Sequence, residues 1–176
     1  MERKLTILKI FFENPFKKYS IRQLSRILKI NHTSIRQYLD KLSREGYLFL
    51  KKEGVYSFYQ LVLNKKTLNL KLYYNLEKIR KSEIIEDLEQ KYNFPVILVF
   101  GSYCFAKDDS SSDIDLCLIS DIKKDFSFEK YEKILNRKIN LHKFDKKQWN
   151  KSKKLNPHLI NNICNGIVLS GELEVL

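Results

Sequence analysis

Two aspartates one residue apart, Asp113 and Asp115, sit in a run whose other members include Ile114, Leu116 and Leu118. Successive side chains of a strand point to opposite faces, so the run predicts aliphatic residues on one face and both carboxylates on the other, about 7 Å apart along the strand. Neighbouring carboxylates repel each other unless a cation lies between them. Paired carboxylates suit Mg²⁺, which takes one or two of them and completes its shell with phosphate oxygens and water. Upstream, Gly101-Ser102 ends the apolar run Pro95-Val96-Ile97-Leu98-Val99-Phe100, and ten residues separate it from Asp113. Glycine lets a phosphate approach the backbone, and a serine hydroxyl and nearby N–H groups can hydrogen-bond it. Gly-Ser or Asp-x-Asp alone is a weak signal. Apolar strand, Gly-Ser, ten residues, Asp-x-Asp and a second apolar strand together are far more specific, and their chemistry is that of a metal-bound phosphate.

Those residues need adjacent buried strands to hold them. Residues 95–100 and 113–119 supply two, and Lys138–Phe144 reads as a further one. Residues 67–92 read as one amphipathic helix, with Leu68, Leu72, Leu76, Ile79, Ile84 and Leu88 as its buried stripe and a phase slip near Ser82. It carries no catalytic motif and reads as a connector. The lysines between 146 and 154 suit a solvated helix with Trp149 as its packed aromatic, and residues 108–112 (Asp-Asp-Ser-Ser-Ser) read as a flexible polar loop. Cys104 is near the site in sequence but has no identifiable base.

The first 66 residues have a different character. A helix is predicted from about Arg3 to Glu13, with Leu5, Leu8 and Phe12 on one face and Asn14-Pro15 as its stop. Ser20 with Gln23 has the spacing of a capping box for a second helix, whose stripe is Ile21, Leu24, Ile27 and Leu28. A short turn, Lys29-Ile30-Asn31, leads to a third helix from His32 to about Glu45, with Ile35, Leu39 and Leu42 buried and Gly46 as its stop. Two β-prone runs, Tyr47–Leu50 and Val55–Leu61, joined by Lys51-Lys52-Glu53-Gly54, form a hairpin.

Charge separates the same regions. The chain has 176 residues, 33 Lys and Arg, 21 Asp and Glu, and a net charge of +12. Residues 1–66 hold 15 of the basic and 5 of the acidic side chains, residues 67–93 hold 5 of each, and the remainder hold 13 and 11. The excess is almost wholly N-terminal, which points to a polyanionic partner for that module, most simply nucleic acid. No apolar run approaches the roughly 18 residues of a membrane span, so no membrane association is expected. Three cysteines without a CxxC pair suit a reduced, cytoplasmic protein without structural zinc.

Three helices and a hairpin, with a tight turn between helices two and three, resemble a winged helix-turn-helix over roughly residues 3–63. In that resemblance the third helix enters the major groove. His32, Thr33, Ser34, Arg36 and Gln37 then reach bases or phosphates, with Lys51 and Lys52 of the wing near the backbone. The alternative for this module is protein contact or dimerisation.

The segment FGSYCFAKDDSSSDIDLCLIS resembles the signature of the polymerase-beta-like nucleotidyltransferase superfamily, especially its minimal prokaryotic members. The likeness extends over roughly residues 80–176, including Ile163–Gly171 as the family's last helix and closing strand. The expected architecture is α+β: a winged helix-turn-helix (1–66), a connecting helix (67–93) and a minimal nucleotidyltransferase domain (94–176) with a short mixed sheet flanked by helices. The resemblance implies transfer of a nucleoside monophosphate from an NTP, with ATP as the expected donor, and release of pyrophosphate. Gly101 and Ser102 would hold the triphosphate, and Asp113 and Asp115 the Mg²⁺. Family members usually add a third carboxylate from a later strand. Here Asn140 and His142 stand in its place, the first able to ligate through its carbonyl and the second able to act as a base. Asp145 falls just beyond. Members also often carry Arg-Gly soon after the Gly-Ser, where this chain has Phe105-Ala106 followed by Lys107, a replacement phosphate contact. Minimal members often act as antitoxins beside a helical HEPN partner, so the expected acceptor is a protein or an RNA end. The rival expectation is a DNA-binding transcriptional regulator, a possible homodimer, whose nucleotidyltransferase fold is degenerate and only binds nucleotide or dimerises.

Overall fold

The computed structural model describes residues 2–174, and its chain divides into two compact units, the first ending at Tyr74 and the second beginning at Asn75. In the first unit α1 (Glu2–Glu13), α2 (Ile21–Leu28) and α3 (His32–Arg44) precede a hairpin of β1 (Leu48–Glu53) and β2 (Tyr56–Leu61). Local signals explain most of these boundaries. Ser20 caps α2 through a capping box with Gln23, and the Asn31 side chain accepts from Ser34 N–H at the start of α3. Ile7, Leu8, Phe11 and Phe12 of α1 close over Leu24, Ile35, Leu39 and Leu42. Ile27, read as part of the α2 stripe, is instead 54% exposed, because a helix of eight residues turns only a narrow face to the core. The hairpin also differs from expectation. β1 runs on through Lys51 and Lys52, which pair with Phe58 and Ser57, and the turn is Gly54-Val55. Alternation of Lys51, Lys52 and Glu53 gave no apolar signal for a strand that is exposed from Phe49 onward.

The stretch expected as one connecting helix is two, α4 (Lys65–Lys81) and α5 (Ile84–Tyr92). Glu83 between them has φ 63, a left-handed conformation that ends one helix and starts the next. The buried positions of α4 are Thr67, Lys71, Asn75 and Ile79, whereas Leu68, Leu72 and Leu76 are half-buried. Polar side chains on a buried face defeat a periodicity reading.

The second unit is built on a mixed four-stranded sheet in the order β5-β4-β3-β6, made of β3 (Val96–Phe100), β4 (Ile114–Ile119), β5 (Ile139–Phe144) and β6 (Ile167–Ser170). β3 runs antiparallel to β4 and β6, and β4 runs parallel to β5. This is the α+β arrangement expected from the sequence. One face carries Ile97, Val99, Ile114, Leu116 and Leu118 against α5 and α7 (Glu129–Leu135). The other carries Leu98, Phe100, Cys117 and Ile119 against α8 (Lys146–Leu155) and α9 (Pro157–Cys164), with Trp149 buried there. Residues 114, 116 and 118 thus share a face as the alternation predicts. The opposite face is also covered from Cys117 onward, so only its Asp115 end reaches the surface. Asp113 lies one residue before β4 rather than within it.

Candidate active site

Strand register assembles the site. Phe100, the last residue of β3, pairs with Asp115, and Asp115 pairs on its other side with Asn140 of β5. The chain then leaves β3 as the short helix α6 (Gly101–Cys104), whose first residue sits beside Asp115. Gly101 has φ +71, and a Cβ there would lie 2.5 Å from Asp115 Oδ2. Glycine is required twice over: for the left-handed backbone and for the close approach to the carboxylate. Gly101→Ala is expected to push the Asp115 carboxylate out of place and to lower the thermal midpoint by several degrees, which a melt without ligand checks.

Asn140 brings the two aspartates together. Its Nδ2 donates to Asp113 Oδ2 at 3.1 Å and to Asp115 Oδ1 at 3.3 Å. One amide therefore bridges two carboxylates that would otherwise repel. Ser102 is half-exposed, and its carbonyl accepts from Lys107 N–H at 3.0 Å, closing the turn that carries both candidate phosphate contacts. Lys107 itself is exposed, with its Nζ 5.9 Å from the Phe105 ring centroid. Ala106 between them has φ 55. This left-handed conformation costs a residue with a Cβ about 1 kcal/mol.

His142 lies on the same face of β5 as Asn140, two residues further along and opposite Cys117. Its ring packs edge-on against Phe100, centroids 5.2 Å apart. Asn140, not His142, is the side chain against the aspartates. Asp145 is consumed elsewhere: its side chain accepts from Gln148 N–H at 2.7 Å as the cap of α8. Cys104 donates to Gly101 O at 3.2 Å, and burial, reinforced by Asp115, pushes its thiol up. It stays a neutral packing group.

Two features had no sequence signal. Asp108, read as part of a flexible loop, is buried and accepts from Asn75 Nδ2 at 2.8 Å, while the same amide donates to Tyr103 O at 3.0 Å. That cluster anchors the segment after α6 from below. Beside Asp113, a cavity of about 650 Å³ opens between residues 110–113 and the segment from α7 into β5.

Asp113, Asp115 and the Asn140 side chain suit a hard divalent cation. Among the described residues no three His, Cys, Asp or Glu side chains cluster as a self-sufficient metal site. Two carboxylates hold Mg²⁺ when phosphate oxygens complete the shell, so the donor set fits a cation that arrives with a nucleotide.

In the N-terminal unit His32, Thr33, Arg36 and Gln37 are exposed on the first half of α3, with Ser34 half-buried. Arg36 is 73% exposed and 3.9 Å from Asp40. Asp40 is already engaged by Tyr59 Oη–H at 2.6 Å, and burial together with that carboxylate pushes the phenol up to about 12. Lys51 and Lys52 are exposed on β1, with Lys51 3.3 Å from Glu53.

A family model described as polymerase beta, nucleotidyltransferase matches residues 82–173, just over half of the chain. A comparison with curated proteins finds no match.

Proposed function

The chain belongs to the polymerase beta nucleotidyltransferase family, and from that premise we propose that it transfers a nucleoside monophosphate from an NTP, with ATP as the expected donor, to a hydroxyl of a protein or RNA acceptor. The observation that carries the reading is the convergence of Asp113 and Asp115 on Asn140, with Gly101 packed against Asp115. Gly101 and Ser102 hold the triphosphate, and Lys107 adds a cation at the same turn. Asp113 and Asp115 would hold the Mg²⁺ whose shell the triphosphate oxygens complete. Mg²⁺, when bound, neutralises the charge that develops on the phosphate oxygens and on the leaving pyrophosphate. For an acceptor on another molecule, His142 is our assignment for the base that receives its proton, being the imidazole on the same strand face.

Because neither the carboxylates nor a phosphate alone completes a cation shell, nucleotide and Mg²⁺ bind together. The expected result is a rise in thermal midpoint with NTP plus Mg²⁺, little with either alone, and none in Asp113→Ala. At a hundredfold excess over Kd the gain is about 2.7 kcal/mol. No rise with any NTP at millimolar concentration overturns the donor site.

The basic first unit recruits the acceptor as a nucleic-acid-binding winged helix. Arg36→Ala with Lys52→Ala should weaken nucleic-acid binding and flatten its logarithmic salt slope by about 2, one unit per lost phosphate contact. An unchanged slope removes those residues from the interface. The chain's cellular setting would then be that of an antitoxin working on a helical HEPN-type protein partner.

One observation favours a second reading, a transcriptional regulator whose nucleotidyltransferase unit only senses nucleotide or dimerises. Asn140 stands where family members place a third acid, and an amide is no base. A fixed operator bound tightly, with its affinity altered by NTP and no transfer, selects that reading.

A further inference from the structure

We propose that Ser111 is this chain's own acceptor, so that the site nucleotidylates the serine loop beside Asp113. The inference rests on the transferase reading above and names one substrate for it.

The loop at residues 108–112 is structured rather than loose. Asp109 Oδ1 accepts from Ser111 N–H at 2.8 Å, from the Ser111 hydroxyl at 2.7 Å and from the Ser112 hydroxyl at 3.3 Å. Ser112 Oγ in turn accepts from Asp109 N–H at 3.0 Å. The two hydroxyls are therefore not equivalent. Ser112 is half-buried and uses its oxygen as an acceptor, whereas Ser111 is exposed and only donates, leaving its lone pairs open to attack. A hydroxyl whose proton points at a carboxylate is the arrangement of an activated nucleophile. The Ser111 hydrogen bonds hold the Asp109 carboxyl below the usual carboxylate range, so it is ionised at neutral pH.

Place and charge agree with that role. Ser111 is two residues from Asp113, which limits their Cα separation to about 7 Å. Both line the same cavity of about 650 Å³, whose other wall carries Lys133, Arg137 and Lys138 together with Glu129 and Glu132. Both lysines are exposed, and among the described residues neither makes an ion pair. The wall's cations outnumber its carboxylates, which suits a phosphodiester formed there.

The step balances without a further reactant. Ser111 Oγ attacks the α-phosphorus of the NTP, the Oγ–P bond forms, and the bond from α-phosphorus to the bridging oxygen of the β-phosphate breaks. Pyrophosphate leaves with that electron pair, and the serine proton passes to Asp109 and then to water. Modification adds one nucleoside monophosphate and about one negative charge per chain.

The test is intact-mass and peptide mapping of the full chain after incubation with Mg²⁺ and each α-labelled NTP. Nucleotide-dependent stabilisation is measured on the same samples. The expected result is up to one nucleotide per chain, mapped to Ser111. Incorporation should fall at least tenfold in Ser111→Ala, return in Ser111→Thr, and slow about 10²-fold in Asp109→Asn. Label mapped to another residue, or undiminished in Ser111→Ala, overturns the inference. An unlabelled wild type whose midpoint still rises with NTP and Mg²⁺ also overturns it while leaving the donor site standing. Loss of both label and rise removes the transferase reading with it.

Discussion

Replacing Asp113 and Asp115 together by asparagine should reduce nucleotide transfer at least about 10³-fold while the chain stays folded. The two effects separate because the carboxylates do different work in the two contexts. For stability, each aspartate offers Asn140 Nδ2 an acceptor oxygen, and an asparagine carbonyl can offer the same. The double variant also removes the repulsion between neighbouring negative charges, so its thermal midpoint without ligand should be unchanged or slightly higher. For function, no neutral amide pair replaces two anionic oxygen donors to Mg²⁺, and metal stabilisation of transferring phosphate is worth several kcal/mol. Each ~1.4 kcal/mol is tenfold in rate, which sets the size of the loss. Labelling of any acceptor from α-labelled NTP reads the first effect and a melt without ligand the second. Transfer that survives the double change would remove Asp113 and Asp115 from the reaction.

The placement of this candidate site was legible because it depends on short-range order. Gly101, Ser102, Asp113 and Asp115 lie at the ends of two adjacent strands, and strand alternation alone puts the aspartates opposite Leu116 and Leu118. Capping signals were equally local, and Ser20-Gln23 and Asn31 do what their types predict. What stayed hidden depends on contacts across the sequence. Asp108 reads as one more polar loop residue, and only its bond to Asn75, 33 positions away, shows it buried. The buried face of α4 follows Thr67, Lys71, Asn75 and Ile79, a stripe that no hydrophobic count selects. The break at Glu83 needs a left-handed residue that is not glycine, so composition gives no warning of it.

Strand β5 marks the boundary between these two cases. Strand Lys138–Phe144 was readable, and so were Asn140 and His142 as its two candidate site residues. Only the parallel register decides between them, since it pairs Asn140 with Asp115 and His142 with Cys117. The consequence is physical. Without a metal, an aspartate at 140 would be a third negative charge in one cluster, whereas asparagine donates to the other two. Asn140 thus holds the ligand-free site together.

Asn140→Asp is therefore expected to move stability and activity in opposite directions. Without divalent cation the variant loses two hydrogen bonds to charged acceptors and gains a like charge. Such bonds contribute about 1.5–3 kcal/mol each when buried, and the exposure of Asn140 reduces this to about 1–3 kcal/mol in all. The midpoint should fall by several degrees, and the fall should be larger at low salt. With Mg²⁺ and NTP the third carboxylate becomes a ligand and a proton acceptor, so the midpoint should recover and transfer should rise about 10- to 10²-fold, within what a positioned base contributes. Melts across salt and Mg²⁺ concentration, with initial transfer rates, check both halves. A transfer rise without the ligand-free destabilisation would mean that Asn140 does not hold the aspartates together. Destabilisation that Mg²⁺ and NTP fail to reverse would mean that the three positions do not converge on a cation, and the regulator reading would then account for the chain better than the transferase.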